Sequence, residues 1–244
     1  MTTPRFFWEG SLRVGEQVAL PKAQAHHALR VLRLAPGAAV VLFNGQGGEY
    51  EGELLVPEGQ TLQVRLHRYQ DPARESPLHL GLAQCLGTGD KMDWVFQKAV
   101  ELGVRHCVPL QSARSVVRLS GERAQTRQQH WQRVVRAACE QCGRNQLPAV
   151  APVQSLPHWL STLSQPVSGV LLSPDAPCSA LTRPPPGELF WILVGPEGGW
   201  TAQEIEWAQR AGFTAAHLGP RILRTETAAL ALMAALQGRW GDFA

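Results

Sequence analysis

Lysine is scarce in this chain. Of its 23 basic residues only Lys22, Lys91 and Lys98 are lysines; the rest are arginines. Arginine suits bidentate phosphate contacts and stacking on bases better than lysine does, although a GC-rich genome produces the same bias. Long apolar runs are missing too. No stretch approaches a membrane span, and the opening "MTTPRFFWEGSLRVG" holds none of signal-peptide length. The five cysteines, Cys85, Cys107, Cys139, Cys142 and Cys178, are odd in number, which predicts free thiols and a reducing, cytoplasmic compartment. The lone C-x-x-C of Cys139 and Cys142 lacks a second pair at zinc spacing, and His26 and His27 have no Cys/His partner motif, so no metal site is expected. The P-loop, dinucleotide and G-x-S-x-G patterns are all absent. This argues against a P-loop nucleotidase, a Rossmann-type enzyme and a serine hydrolase. A net charge of only +3 says little about partners, while 44% hydrophobic residues suffice for a core.

What is present falls into two parts. Residues 1–73 read as short strands between Gly/Pro turns, "VVLF", "NGQGGEYEGELLV" and "TLQVRLHRY", with one helix-like insert, "AQAHHALRVLRL". A small β-barrel is predicted there, with "DPARESP" (71–77) as a linker. Residues 74–244 alternate buried-strand runs ("LHLGLAQCL", "HCVPL", "GVLLS", "LFWILVG") with helical spacing (Met92, Val95, Phe96 and Ala99, then a long helix around 122–142). That pattern predicts an α/β domain with a mainly parallel sheet.

The strand "LFWILV" runs into "GPEGGW", and "TAQEIEWAQRAG" follows. Thr201 and Glu204 have capping-box spacing, Trp200 and Ile205 stand as a hydrophobic staple, and Gly212 fits the helix end. The glycine loop therefore sits at a strand's carboxyl end, where open α/β sheets bind ligands. With Glu197 and no lysine within it, the loop is poorly matched to polyphosphate and suits a ligand neutral or cationic nearby, such as the sulfonium S-adenosylmethionine. The competing reading is a tight turn whose glycines merely permit positive φ. A second loop, "LGPRILRTETA" (218–228), leads into a helix, "TAALALMAAL", apolar or small on every side and so buried all round or partly against another subunit.

The segment "VGPEGGWTAQEIEWAQRAGFTAAHLGPRILRTETAALALMAALQ" resembles the C-terminal signature of SPOUT methyltransferases, whose C-terminal chain forms a trefoil knot. Within that class the chain resembles the RsmE family, which methylates N3 of a uridine in 16S ribosomal RNA of the small subunit. "HHALRVLRLAPG" (26–37), "GDKMDWVFQKAVELGV" (89–104) and "AACEQCGRNQLP" (137–148) extend the match over nearly the whole chain. The resemblance implies a PUA-like barrel at 1–73, a knotted methyltransferase domain at 74–244, a homodimer, and S-adenosylmethionine as cofactor. It implies cofactor contacts from Leu172, Ser173, Gly195, Pro196, Glu197, Gly198, Leu218, Gly219, Ile222, Leu223, Thr227 and Ala228. For the chemistry, Arg224 would stabilise charge on the uracil oxygens, and Glu226 or Glu197 would take the N3 proton. Trp200 stands where relatives often carry another large apolar residue and reads as a packing variant.

RNA binding has independent support. From Arg105 to Arg144 eight arginines face two acids, Glu122 and Glu140. On a helix Trp131, Val134, Val135 and Ala138 form one face, with Arg133 and Arg136 opposite and Arg144 beyond. Such a basic face is an electrostatic footprint for phosphate. Arg5, Arg30 and Arg33 are the phosphate candidates of the first domain, while Phe6, Phe7 and Trp8 read as barrel core, with stacking on bases as the competing reading. The competing functions are a non-catalytic ribosome-assembly protein on the same fold and a methyltransferase acting on another RNA. The intact GPEGG and RTETA stretches argue against the first.

Overall fold

The alternating text of the first 70 residues folds as five strands: β1 (Arg5–Phe7), β2 (Gln17–Ala19), β3 (Ala39–Phe43), β4 (Glu49–Leu54) and β5 (Gln63–Gln70). The structure is a computed structural model that describes residues 3–57, 59, 61–182 and 184–243. The spatial order is β1-β3-β4-β5-β2. β1 runs parallel to β3, and the remaining pairs are antiparallel. Because β1 and β2 are not paired with each other, the sheet is a half-barrel rather than a closed one. Its concave core holds Phe6, Val18, Val40, Leu42, Leu54, Val64 and Leu66, the inward residues of alternating strands. The helix-like insert becomes α1 (Lys22–His26) and a π-helical turn, His27–Val31. Arg30 in this turn and Arg33 just after it are exposed, Arg33 at φ 53°.

The compact unit around this sheet comprises Met1–Glu75 together with Cys139–Leu147. Buried charges hold that second segment. The Arg5 guanidinium pairs with Glu49 and donates to Asn145 Oδ1 at 2.6 Å. Arg74 reaches Glu49 at 2.9 Å, and Arg144 pairs with Glu75 at 2.8 Å. The Glu75 carboxylate also accepts from the backbone N–H groups of Asn145 and Gln146, each at 3.0 Å. Arg5 and Arg144, expected as phosphate contacts, have largely buried side chains, Arg5 held by Glu49 and Asn145 and Arg144 by Glu75, so they are not counted as RNA-facing. Sequence reading placed them outside because periodicity does not show which arginine meets a buried acid.

The second unit, Ser76–Ala138 with Pro148–Ala244, is built on a parallel sheet. Its strands are β6 (Leu80–Cys85), β7 (Val104–Gln111), β8 (Ala149–Val150), β9 (Gln154–Ser155), β10 (Gly169–Leu172), β11 (Cys178–Ser179), β12 (Phe190–Val194) and β13 (Phe213–His217). The order is β11-β13-β10-β12-β6-β7-β8, with β9 beside β7, and every pairing is parallel. β6, β10 and most of β12 are buried along their length, as expected of strands covered on both faces. The helices are α2 (Lys91–Glu101), α3 (Gly121–Cys142), α4 (Leu156–Thr162), α5 (Ala202–Ala211) and α6 (Thr225–Trp240). α4 and α5 cover one face through Leu156, Trp159, Leu160, Ala208 and Ala211. α2 and α6 pack together over the other, and α3 joins α2 where Trp131 meets the Phe96 ring edge-on at 5.7 Å.

The capping box of Thr201 and Glu204 is formed, and Gly212 ends α5 in the left-handed region at φ 112°. A Cβ on Gly212 would lie 2.6 Å from the Val167 carbonyl oxygen. Gly212→Ala is therefore expected to cost about 1–3 kcal/mol, read as a lower denaturant midpoint at unchanged m-value.

Candidate active site

Three loops leave the carboxyl ends of adjacent strands: Ser173 and Pro174 after β10, Gly195–Gly199 after β12, and Leu218–Arg224 after β13. Register brings them together, since Leu172 pairs with Val194 on one side and with Ala216 on the other. Trp200 locks two of them. Its indole N–H donates to the Leu172 carbonyl at 3.0 Å, and its ring lies against Gly195, where a Cβ would approach Trp200 Cε2 to 2.9 Å. The expected packing variant is thus the bond between the β10 end and the glycine loop. From the far side Arg114 donates to the carbonyls of Gly198 (3.1 Å) and Trp200 (3.3 Å).

Beneath the loop a polar chain crosses the apolar sheet. Gln84, 1% exposed on β6, donates to Thr225 Oγ1 at 2.8 Å, and Thr225 donates to the Gly195 carbonyl at 2.5 Å. Alternation along β6 aims Gln84 at α6 rather than at α4 and α5, whose side takes Ala83 and Cys85. The first turn of α6 is thereby tied to the loop after β12. Burial pushes the neighbouring Cys85 thiol up to about 12, and that of Cys139 likewise, so neither ionises at neutral pH.

Above the chain sit two carboxylates and one ammonium. Lys91 Nζ lies 2.9 Å from Glu197 Oε1 and 3.5 Å from Glu226 Oε2. Glu226 Oε2 is buried and has no hydrogen-bond partner among the described residues. Burial raises the Glu197 carboxyl, but the Lys91 hydrogen bond, backbone N–H groups and the Lys91 charge outweigh it and hold the carboxyl below its usual range. The hydrogen bond to Glu197, followed by the two carboxylate charges, raises Lys91 against the opposing effect of burial. A depressed carboxylate contributes stability that is complete above its unfolded pKa and is lost as pH falls through the folded value. Protection of the 195–199 loop against hydrogen exchange, corrected for intrinsic rate, is therefore expected to be flat from neutral pH to about 5 and to decay below about 4.

The structure brings most of the expected cofactor set to this edge. Gly195 and Pro196 are buried, Leu172 is 8% exposed, and Ser173, Leu218, Leu223 and Ala228 are half-buried. Glu197, Gly198, Gly219 and Thr227 lie open, and Ile222 is 83% exposed. Arg224 is exposed immediately before α6, and Glu226 lies in its first turn. On α3, Trp131, Val135 and Ala138 are buried, Arg133 is exposed and Arg136 is half-buried. Lys91, Gln84, Thr225 and Arg114 were not foreseen. Gln84 left a legible trace as the one amide in an apolar strand run; the other three become visible only through their partners.

Known proteins share this architecture. A family model for an RNA methyltransferase domain matches residues 74–237, and one for an RNA methyltransferase PUA domain matches residues 20–66. Ribosomal RNA small subunit methyltransferase E of Buchnera aphidicola is 31% identical over 98% of this chain and 97% of its own length. The Bacillus subtilis protein of that name is 32% identical over 87% and 86%. Among solved structures, the Neisseria gonorrhoeae methyltransferase E bound to S-adenosyl methionine is 40% identical, with TM-score 0.91 over the whole of both chains. A putative methyltransferase of Legionella pneumophila with bound S-adenosyl methionine is 32% identical, with TM-score 0.93 over the same coverage. With two thirds of its length in the methyltransferase domain and relatives at this identity along nearly all of it, the chain belongs to the ribosomal RNA small subunit methyltransferase E family.

Proposed function

We propose that this protein methylates N3 of one uridine in 16S ribosomal RNA of the small subunit, with S-adenosylmethionine as the methyl donor. The residues present fit that cofactor. Gly195 leaves no room for a side chain beside Trp200, so backbone approaches the ligand there, and the two carboxylates outnumber the Lys91 ammonium. That balance suits a sulfonium and disfavours a polyphosphate. Leu172, Ser173, Gly195–Gly198, Leu218, Gly219, Ile222, Leu223, Thr227 and Ala228 would hold it. When bound, the cofactor supplies an electrophilic methyl group on sulfur.

The chain supplies alignment and a proton acceptor. Uracil N3 carries a proton in the neutral base. Breaking that N–H bond sends the proton to a carboxylate and leaves the electron pair on N3, the atom to be methylated. Glu226 is the better acceptor of the two candidates, because Lys91 stands 3.5 Å from its Oε2 but is hydrogen-bonded to Glu197 at 2.9 Å. The exposed Arg224 guanidinium would offset charge growing on the uracil oxygens. The observation that carries this reading is that three loops leave adjacent strand ends, with the carboxylates of Glu197 and Glu226 both drawn to Lys91. The proposed RNA contacts are Arg30 and Arg33 in the first unit and Arg133 and Arg136 in the second. A homodimer, a cytoplasmic compartment and a knotted C-terminal chain belong to the same reading, supported by the family. The half-buried alanines 228, 231, 234 and 235 on α6 support the homodimer.

The test uses small subunits from a strain lacking the modification, methyl-labelled S-adenosylmethionine and mapping of the label. Label at N3 of a single uridine is expected. Label on another RNA moves the target, and cofactor binding without label on any RNA favours an assembly protein.

A further inference from the structure

We propose that Lys91 is a positioning residue for proton transfer: its ammonium, pinned by Glu197, holds the Glu226 carboxylate where it receives the N3 proton. This rests on the uridine-N3 reading above. The geometry joins three separate elements, because Lys91 opens α2, Glu197 lies on the loop after β12 and Glu226 is in the first turn of α6. The ammonium is closer to Glu197, at 2.9 Å, than to Glu226, at 3.5 Å. Glu197 thus fixes the cation, and the cation orients Glu226.

Local stability does not explain a lysine there. A cation in the first turn of a helix opposes the macrodipole, and Asp90, the N-cap, makes no side-chain capping bond. The choice of lysine also stands out in a chain with only three. A compact ammonium on a flexible stem can serve two carboxylates from different elements, where a planar guanidinium favours one in bidentate geometry. Gly87 adds to the fit, since a Cβ there would touch Lys91 Cβ and Cδ at 3.4 Å and Glu197 Oε1 at 3.7 Å. Glu226 Oε2 has no hydrogen-bond partner among the described residues, so the Lys91 ammonium is the polar group that faces it. Of the other charges nearby, Asp90 and Arg224 are exposed, and Arg114 is bound to loop carbonyls. In the step itself Lys91 keeps its proton; the N3–H bond breaks and the proton ends on Glu226.

The test compares wild type, K91M, K91R, E226Q and K91M/E226Q, each checked for folding by its thermal midpoint. With small subunits as substrate, K91M is expected to lower kcat by about tenfold or more, with KM and cofactor Kd within about threefold. K91R should recover part of the loss. K91M/E226Q should be no slower than E226Q beyond about twofold, because residues acting through one group are non-additive. Unchanged kcat in K91M, or losses that multiply in the double variant, would overturn the proposal. Hydrogen exchange on the free protein separates it from the uridine reading. Peptides covering 195–199 and 225–228 should exchange faster in K91M than in wild type. Equal exchange sinks the brace whatever the kinetics show. Faster exchange in K91M, with no label at any uridine N3 in wild type, would leave the brace standing and remove its proposed catalytic role.

Discussion

Glu226→Gln is expected to lower kcat by about 10²–10⁴-fold while cofactor Kd stays within about threefold, measured by methyl transfer to small subunits and by calorimetry. Glutamine keeps the size of the side chain and one carbonyl oxygen, but it cannot take up a proton at neutral pH. The fold should tolerate it, because among the described residues Glu226 Oε2 has no hydrogen-bond partner and is tied by the Lys91 ion pair at 3.5 Å. Glu197→Gln is expected to cost less in kcat, since that carboxylate is already hydrogen-bonded to Lys91 and depressed in basicity. The reverse ranking, with Glu197→Gln the more damaging, would move the acceptor to the glycine loop. Near-wild-type kcat in both variants would mean that solvent takes the N3 proton.

Glu49→Ala is expected to destabilise the protein by about 3–5 kcal/mol, the cost of leaving a buried charge without its counter-ion. Glu49 is 1% exposed. It is paired with Arg5 and with Arg74, and it accepts from Gln70 Nε2 at 2.9 Å. Removing it leaves the Arg5 guanidinium inside with Asn145 as its principal remaining acceptor. Replacing both partners, Arg5→Met with Glu49→Leu, is expected to recover most of the loss, because two apolar side chains remove the desolvation problem that one creates. A single variant losing under about 1 kcal/mol would show that water or Glu75 compensates. Burial raises the Glu49 carboxyl, but hydrogen bonding and charge from Arg5, with Arg74 and Asn145 behind, hold it below the usual range. Its contribution is present above the unfolded carboxylate pKa and is lost as pH falls through the lower folded value, so the deficit of Glu49→Ala should shrink in acid.

Much of this molecule is legible along the chain. Apolar runs as uniform as "GVLL" and "FWILV" specify strands covered on both faces, and the parallel sheet follows from their alternation with helices. The α5 cap, Thr201 with Glu204 and then Gly212, is a local affair of four-residue hydrogen bonds and one left-handed residue, so spacing alone determines it. The glycine loop and the LGPRILRTETA loop announce themselves because a backbone that must approach a ligand cannot carry large side chains.

Tertiary structure decided the charges. An arginine looks the same in sequence whether it meets water or a buried carboxylate, and only the fold sends Arg144 to Glu75 and Arg5 to Glu49 while leaving Arg133 in solvent. The same holds at the site. Lys91 and Glu226 are 135 residues apart in the chain, and Trp200 and Leu172 are 28 apart. Coulombic and hydrogen-bond energies depend on a few ångströms of separation that no periodicity encodes. The sequence by itself determined the main strands and helices, the parallel sheet and the loops at its edge, but not α4 or the short strands β8, β9 and β11. Which side chains face one another across those loops, and hence which carboxylate is left with an unsatisfied oxygen, was settled only when β10, β12 and β13 came into register beside α2 and α6.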